Sequence, residues 1–130
     1  MRFGRDNNFL SIEPIQLDGG YPAFRAEAVA TGSGRRFTAS HDRLMFDTSE
    51  AITKGFADFE ALHSDTIEVP FSESGWLRLQ RDARGYITVR YRIGGWKTYA
   101  AMEGEILVEG EYAGRVCREF GALLRSGHAG

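Results

Sequence analysis

The chain has 130 residues, of which 42% are hydrophobic and 26% charged, and its 16 basic and 18 acidic residues give a formal net charge of −2. This length is typical of one domain with a real core, here 1–130, and the composition argues against disorder. The balanced charge argues against a nucleic-acid binder, and no apolar run reaches the roughly 20 residues that span a bilayer.

The first part of the chain predicts two or three strands. Residues 9–12 form a strand that extends to 17 in its longer version, and Pro14 places it at a sheet edge or at its own end, because proline lacks the amide donor. Apolar and polar residues alternate over 24–31, and a glycine-rich turn at 31–34 leads into a returning strand at 36–40. In that strand, Phe37 and Ala39 are expected to face inward.

The next segment changes to a helical period, which predicts a helix over 49–63. Asp47, followed by Glu50 three residues later, resembles a capping box, and Leu44 and Phe46 are placed to act as a hydrophobic staple. Gly55 inside this helix costs roughly 1 kcal/mol relative to alanine unless another element packs closely against it. The apolar stripe consists of Ile52, Phe56, Phe59 and Leu62, spaced by four, three and three residues.

The strongest pattern in the chain is the period-two alternation over 76–110, which predicts three antiparallel strands in a meander. A short strand at 66–71 precedes it. Turns at 81–85 and at Gly94-Gly95 separate the three arms. The alternating apolar residues are Leu77 and Leu79, then Ile87, Val89, Tyr91 and Ile93, and finally Ala100, Met102, Ile106 and Val108.

A second helical stripe predicts a helix over 111–126, with Gly127 as its C-cap. The layout of strand runs and amphipathic helices predicts an α+β fold. We expect a mainly antiparallel, strongly curved sheet of about six strands packed against two amphipathic helices. A half-open barrel wrapped around the terminal helix is the geometric alternative.

Residue types that serve in catalytic and metal sites occur without the spacing that such chemistry needs. His41, His63 and His128 do not form a local metal-ligand pattern. Cys117, the single cysteine, lies on an apolar helix face, which is typical of a small core residue, and the lack of a disulfide partner is typical of a cytoplasmic protein. We therefore expect no catalytic residue, no metal and no cofactor, and the sequence favours a non-enzymatic protein.

The polar positions of the meander carry charge of both signs. Arg78 lies on the first arm, Arg90 and Arg92 on the second, and Glu103 and Glu105 on the third. The Gly94-Gly95 turn predicts that Arg90 or Arg92 lies opposite or diagonal to Glu103 or Glu105. Two interpretations remain open: a solvated face of ion pairs that stabilises the sheet, and a binding face of mixed charge that gives orientation and specificity.

Aromatic residues cluster in the same region. Trp76 and Trp96 lie at loop–strand junctions, and Tyr99 follows the second junction. Tryptophan and tyrosine are enriched at interface hot spots, particularly beside arginine, although the same residues also seal the ends of sheets. With the charged residues above, Trp76, Trp96 and Tyr99 make up the predicted binding site.

Several residue runs resemble a known kind of protein: the helical run FADFEAL at 56–62, the hairpin GYITV at 85–89, and GEY at 110–112 before a helix that ends in two leucines. These runs, and the order of strands, helix, strands, helix, are similar to small bacterial domains, some of which are immunity proteins of polymorphic toxin systems. The resemblance implies a stand-alone bacterial protein without catalytic machinery, and it transfers no functional residue.

The sequence thus predicts a non-enzymatic protein-interaction module of bacterial type, with an immunity-like role and another protein as its partner. The alternative is a small-ligand-binding protein or enzyme with a cavity between the sheet and the helices. Its polar groups would be Tyr91, Tyr99, Cys117 and the arginines. A homo-oligomer formed through a sheet edge or the aromatic patch is compatible with either function.

Overall fold

The computed structural model describes residues 1–15, 23–46, 49–71, 75–95 and 100–128. Across them the chain forms four strands and a helix, and then repeats that order. The first half consists of β1 (Arg2–Arg5), β2 (Asn8–Ile15), β3 (Ala23–Gly32), β4 (Arg35–Leu44) and α1 (Glu50–Glu60). The second half consists of β5 (Thr66–Pro70), β6 (Gly75–Arg81), β7 (Ile87–Gly94), β8 (Ala101–Val108) and α2 (Gly110–His128).

The strands form two antiparallel sheets, ordered β1-β2-β3-β4 and β5-β6-β7-β8. The α+β class is therefore confirmed, whereas the expected single sheet of about six strands is replaced by two sheets of four. Helix α1 separates the two strand runs, and among the described residues the backbone link between them is the bridge between Phe46 and Phe71. Strand β1 was not predicted, because Phe3 is its one large apolar residue and a single residue gives no alternating pattern.

Strand β2 lies between β1 and β3 over most of its length, so it is not an edge strand, whereas the other expectation, that the strand ends at Pro14, is met to within one residue because β2 ends at Ile15. Its register with β1 ends at Ser11, whereas its register with β3 continues through Pro14, which lies opposite Phe24. The proline is tolerated because this end of β2 has a ladder neighbour on one side only.

The β3–β4 hairpin turns through Ser33 and Gly34, which have φ angles of 52° and 73°. Two positive φ angles in a two-residue loop define a type I′ turn, whose twist matches that of the flanking strands. Ala39 packs against the core as expected. Phe37 is 56% exposed, contrary to the expectation, because this end of the hairpin extends past the core.

Helix α1 begins after Ser49, and its predicted cap at Asp47 lies outside the described residues. The helix ends at Glu60 rather than at residue 63, and Leu62, with a φ of 65°, leaves the apolar stripe and is 70% exposed. Arg81 in β6 completes the helix end, where its guanidinium donates to the carbonyls of Phe59 (2.8 Å) and Ser64 (3.1 Å). The Phe59 carbonyl also accepts from the Leu62 amide (3.3 Å), so Arg81 adds a side-chain donor to a helix end that is already capped by its own backbone.

The expected close packing at Gly55 is present in the structure. A Cβ at this position would lie 2.9 Å from the Ile67 side chain of β5. A glycine thus allows β5 to approach α1.

Both sheets and both helices share one apolar core. Phe120 in α2 lies at its aromatic centre, with ring centroids 5.7 Å from Phe3, 5.5 Å from Phe46 and 5.4 Å from Phe56. Edge-to-face and tilted contacts at such distances are the favoured arrangements of aromatic rings. As far as the structure describes them, neither α1 nor α2 has the length and apolar composition needed to cross a membrane.

Candidate functional site

The predicted meander is confirmed as β6, β7 and β8, with β5 added at its edge. Because inner residues such as Leu77, Leu79 and Val89 are buried, the alternate residues project from the opposite side of the sheet. Their register forms two rows across the four strands: Glu68, Arg78, Arg90 and Glu105, and then Pro70, Trp76, Arg92 and Glu103. We call these eight residues the outer face.

Three ion pairs tie the strands of the outer face together. Arg78 pairs with Glu68, the Arg90 Nε lies 3.4 Å from the Glu105 Oε2, and the Arg92 Nη1 donates to the Glu103 Oε1 at 3.1 Å. The predicted pairing of β7 arginines with β8 glutamates is therefore confirmed. These side chains are 41–60% exposed, and pairs in such positions typically contribute about 0.2–1 kcal/mol each.

The middle of the outer face is positive and its two margins are negative. Arg78 lies directly opposite Arg90, and Arg92 is diagonal to Arg78 in the next row. Like charges directly opposite each other destabilise a strand pair, so the flanking glutamates compensate for a cost that the arginines create. Three cations and three anions make the outer face formally neutral but strongly patterned.

Trp76 is half-buried beneath this positive strip. The Arg78 guanidinium carbon lies 3.7 Å from the centroid of its ring, a cation–π arrangement. The stacked guanidinium is held over the indole while it pairs with Glu68. Both groups are therefore presented in a fixed orientation.

Two members of the predicted site, Trp96 and Tyr99, lie outside the described residues. Their proximity to Trp76 stays a prediction. Two members of the outer face, Glu68 and Pro70, were not predicted, and they stand at the β5 margin of the two rows. The alternation of Glu68 with the buried Val69 was the available signal, but β5 has only five residues.

Beside the first row, a shallow cleft of about 350 Å³ runs over β5, β6 and β7. Its lining includes the side chains of Thr66, Gln80, Thr88 and both arginines of that row. The cleft provides hydrogen-bond donors and acceptors next to the charged rows.

Tyr91, a candidate polar group of the alternative function, is fully buried. Its ring lies against Gly104, where an added Cβ would overlap the Tyr91 Cζ and Oη atoms. The hydroxyl has no hydrogen-bond partner among the described residues, and burial raises its pKa. An unsatisfied buried hydroxyl lowers the free energy of unfolding by about 1–3 kcal/mol, so its presence at this position needs a physical reason.

Cys117, the other candidate, is 5% exposed and lies in the apolar core. Burial raises the pKa of its thiol to about 11, so the thiol is protonated at neutral pH. Because the thiolate is the reactive form, this environment is typical of a structural rather than a nucleophilic cysteine. A cleft of about 480 Å³ borders it, lined also by Arg81 and Arg118.

A cleft of about 640 Å³ between β1, β8 and α2 had no counterpart in the sequence analysis. Tyr112 closes one side of it, and its hydroxyl lies 3.2 Å from both the Arg2 and the Gly4 carbonyl oxygens. Arg5 and Arg115 also line this cleft. Within the described parts of the chain, no three His, Cys, Asp or Glu side chains are grouped to hold a metal ion.

Comparison of the chain with protein-family models, curated proteins and solved structures finds no match.

Proposed function

We propose that the chain is a non-enzymatic protein-interaction module that binds another protein through the outer face of β5–β8. The supporting observation is the combination of Arg78 stacked on Trp76 with charge pairs between β5 and β6 and between β7 and β8. Arginine and tryptophan dominate interface hot spots, and patterned charge selects a partner by orientation more than by raw affinity. A rigid sheet presents this pattern with little entropy left to lose on binding.

The pattern specifies the chemistry of the partner. Carboxylates of the partner would lie over the strip of Arg78, Arg90 and Arg92, and its cationic side chains would lie over Glu68 at one margin and over the β8 glutamates at the other. In keeping with the resemblance to immunity proteins, we propose a bacterial toxin protein as the partner and the cytoplasm as the place of binding.

Charge reversal with a matched control tests this proposal. Arg90→Glu places a third acid beside Glu105 in the first row, whereas Arg25→Glu reverses an exposed arginine of β3 that lies 3.9 Å from Asp42. The immobilised wild-type chain and both variants are used to capture proteins from an extract of the native host, with identification by mass spectrometry. We expect a protein that the wild type and Arg25→Glu retain and Arg90→Glu loses.

Two results would contradict the proposal. One is a set of captured proteins that Arg90→Glu leaves unchanged. The other is capture of no protein at all, together with thermal stabilisation of the chain by a metabolite.

The buried hydroxyl of Tyr91 favours a second candidate, a small-ligand binder whose ligand enters the core beside Gly104. A ligand acceptor at this hydroxyl would supply the missing hydrogen bond. The test is a thermal-shift screen of metabolites on the wild type and on Tyr91→Phe. A compound that stabilises the wild type and not the variant would support this candidate, and equal shifts in both proteins would count against it.

A further inference from the structure

Among the strands that the structure describes, β4 is hydrogen-bonded to β3 alone. The two-residue type I′ turn makes Gly32 and Arg35 the hydrogen-bonded pair that closes the hairpin. Antiparallel pairs then alternate, so the N–H and C=O groups of Arg36, Thr38 and Ser40 point away from β3. Among the described residues these outward groups have no hydrogen-bond partner.

Two other outer strands, β1 and β5, are protected in ways that β4 is not. Strand β1 has four residues, and β5 has five and ends at Pro70. Short edge strands and prolines are the usual means by which sheets prevent pairing with other chains. Strand β4 has ten residues, no proline and the exposed ring of Phe37.

A groove runs along the edge of β4 that faces away from β3. One cleft of about 310 Å³ is bounded on one side by residues 38–41 of β4 and on the other by Ile93, Gly94 and residues 100–102. A second cleft, of about 430 Å³, continues from it past Phe37 and Ala30 to Glu103. Both are lined by Thr38, Ala101 and Met102, so they form one trough between β4 and the start of β8.

We propose that β4 binds an extended, acidic segment of a partner protein, which adds to the first sheet as a further strand. Strand addition to a free edge takes its affinity from main-chain hydrogen bonds and its specificity from alternate side chains. Here the outward groups of Arg36, Thr38 and Ser40 supply the main-chain bonds. On the trough side, Phe37 and Ala39 would contact apolar side chains of the added strand.

The charges of β4 define the segment as acidic. The strand carries Arg35, Arg36 and Arg43 against one acid, Asp42, which lies 3.9 Å from Arg25. An acidic residue of the added strand would lie opposite Arg36, and another would lie near Arg43. Three arginines against one aspartate give β4 a net positive charge, which an acidic segment complements and a second copy of β4 does not.

The trough also favours a single extended segment over the edge of a whole sheet. The far wall of the trough, made by the end of β7 and the start of β8, limits the space beside β4. Because neighbouring strands lie about 4.8 Å apart, a single added strand needs less of this space than a sheet edge with a second strand behind it.

The probe is a fluorescein-labelled peptide of about ten residues, the length of a long strand, with alternating valine and threonine and a glutamate at each end. Binding to the full chain is followed by fluorescence anisotropy. Thr38→Pro removes an outward N–H and no bond to β3, so the fold is retained while affinity falls by about tenfold or more. Thr38→Val, which keeps the N–H, should bind like the wild type.

Reversal of one charge distinguishes strand addition at β4 from nonspecific electrostatic attraction of the peptide to the chain. Arg36→Glu should lose the acidic peptide and bind its lysine counterpart, whereas Arg90→Glu, on the outer face, should leave acidic-peptide binding within about twofold of the wild type. If the outer face bound no protein, the same binding of the two peptides to β4 would still be expected.

Equal peptide binding by the wild type and Thr38→Pro overturns the proposal, and so does the absence of saturable binding to the wild type. Analytical ultracentrifugation adds a third outcome. A wild-type dimer that Thr38→Pro abolishes would assign the edge to a second copy and overturn the acidic segment.

Discussion

The first sheet, β1–β4, and the second sheet, β5–β8, have the same number and order of strands but bury different side chains. The first supplies alanines and phenylalanine rings beside four aliphatic residues, Leu10, Ile12, Val29 and Leu44, whereas the second supplies mainly leucine, isoleucine and valine. The buried residues of the first sheet include Phe3, Phe24, Ala26 and Ala28, and those of the second include Leu77, Leu79, Ile87, Val89, Ile93 and Ile106.

This difference extends to the surfaces. The second sheet, anchored by bulky inner residues, holds an outer face of fixed charge pairs. The first sheet ends in β4, of which nearly every residue is exposed or partly exposed. A well-packed sheet is suited to present side chains in fixed positions, and a free edge is suited to accept a strand. Substitutions in each sheet test this contrast.

The largest expected effect is at Phe120, where the second half meets the aromatic rings of the first. Phe120→Ala removes ring contacts to Phe3, Phe46 and Phe56, and we expect a loss of about 3–5 kcal/mol in the free energy of unfolding. Urea unfolding followed by circular dichroism measures it. Phe37→Ala serves as the control, because that ring is 56% exposed and should change stability by about 0.5 kcal/mol or less. Similar losses for the two variants would contradict the shared aromatic core.

A smaller effect is expected at Gly104, within the second sheet. The Cβ of Gly104→Ala would overlap the buried Tyr91 ring, so the variant should lose about 1–3 kcal/mol of stability through overpacking. Gly114→Ala is the matched control in α2. Its Cβ would lie 3.5 Å from the Arg118 Nη1, and the exposed helical position should gain up to about 1 kcal/mol. A stable Gly104→Ala variant would show that Tyr91 is not held against β8.

Removal of the Tyr91 hydroxyl should act in the opposite direction. Tyr91→Phe deletes a buried group without a partner among the described residues while keeping the ring, and we expect a gain of about 1 kcal/mol. Thermal and urea unfolding measure it in the absence of added ligand. A loss of stability would reveal a hydrogen bond to that hydroxyl and would remove the support for a ligand in the core.

The smallest effects on stability are expected on the two outer surfaces. Arg90→Ala breaks the pair with Glu105 but also relieves the repulsion from Arg78, so the net change should be within about 1 kcal/mol. Arg25→Ala, in the looser pair with Asp42, should change stability by about 0.5 kcal/mol or less. Added salt should reduce both differences. A loss of several kcal/mol at Arg90 would make the outer face structural rather than a binding surface.

Sequence patterns predicted the meander well because the inner side chains of β6 and β7 are large and alternate without interruption. The position of Gly94-Gly95 left open which arginine of β7 meets which glutamate of β8, and the structure pairs Arg90 with Glu105 and Arg92 with Glu103. The division into two sheets could not be predicted, because it depends on which strands exchange hydrogen bonds far apart in the sequence. The exposure of Phe37 was missed for a related reason, since local alternation does not reveal where the opposing surface ends.

The contact of Arg81 with the end of α1 has a consequence for biosynthesis. The Arg81 guanidinium reaches the carbonyls of Phe59 and Ser64 only when β6 has been made, and the Phe120 ring reaches Phe3, Phe46 and Phe56 only when α2 has been made. A growing chain therefore cannot complete its first half before its last helix emerges. If the chain were cut after Ser64, the two pieces should each remain unstructured and should fold when mixed, like the fragments of a split reporter protein.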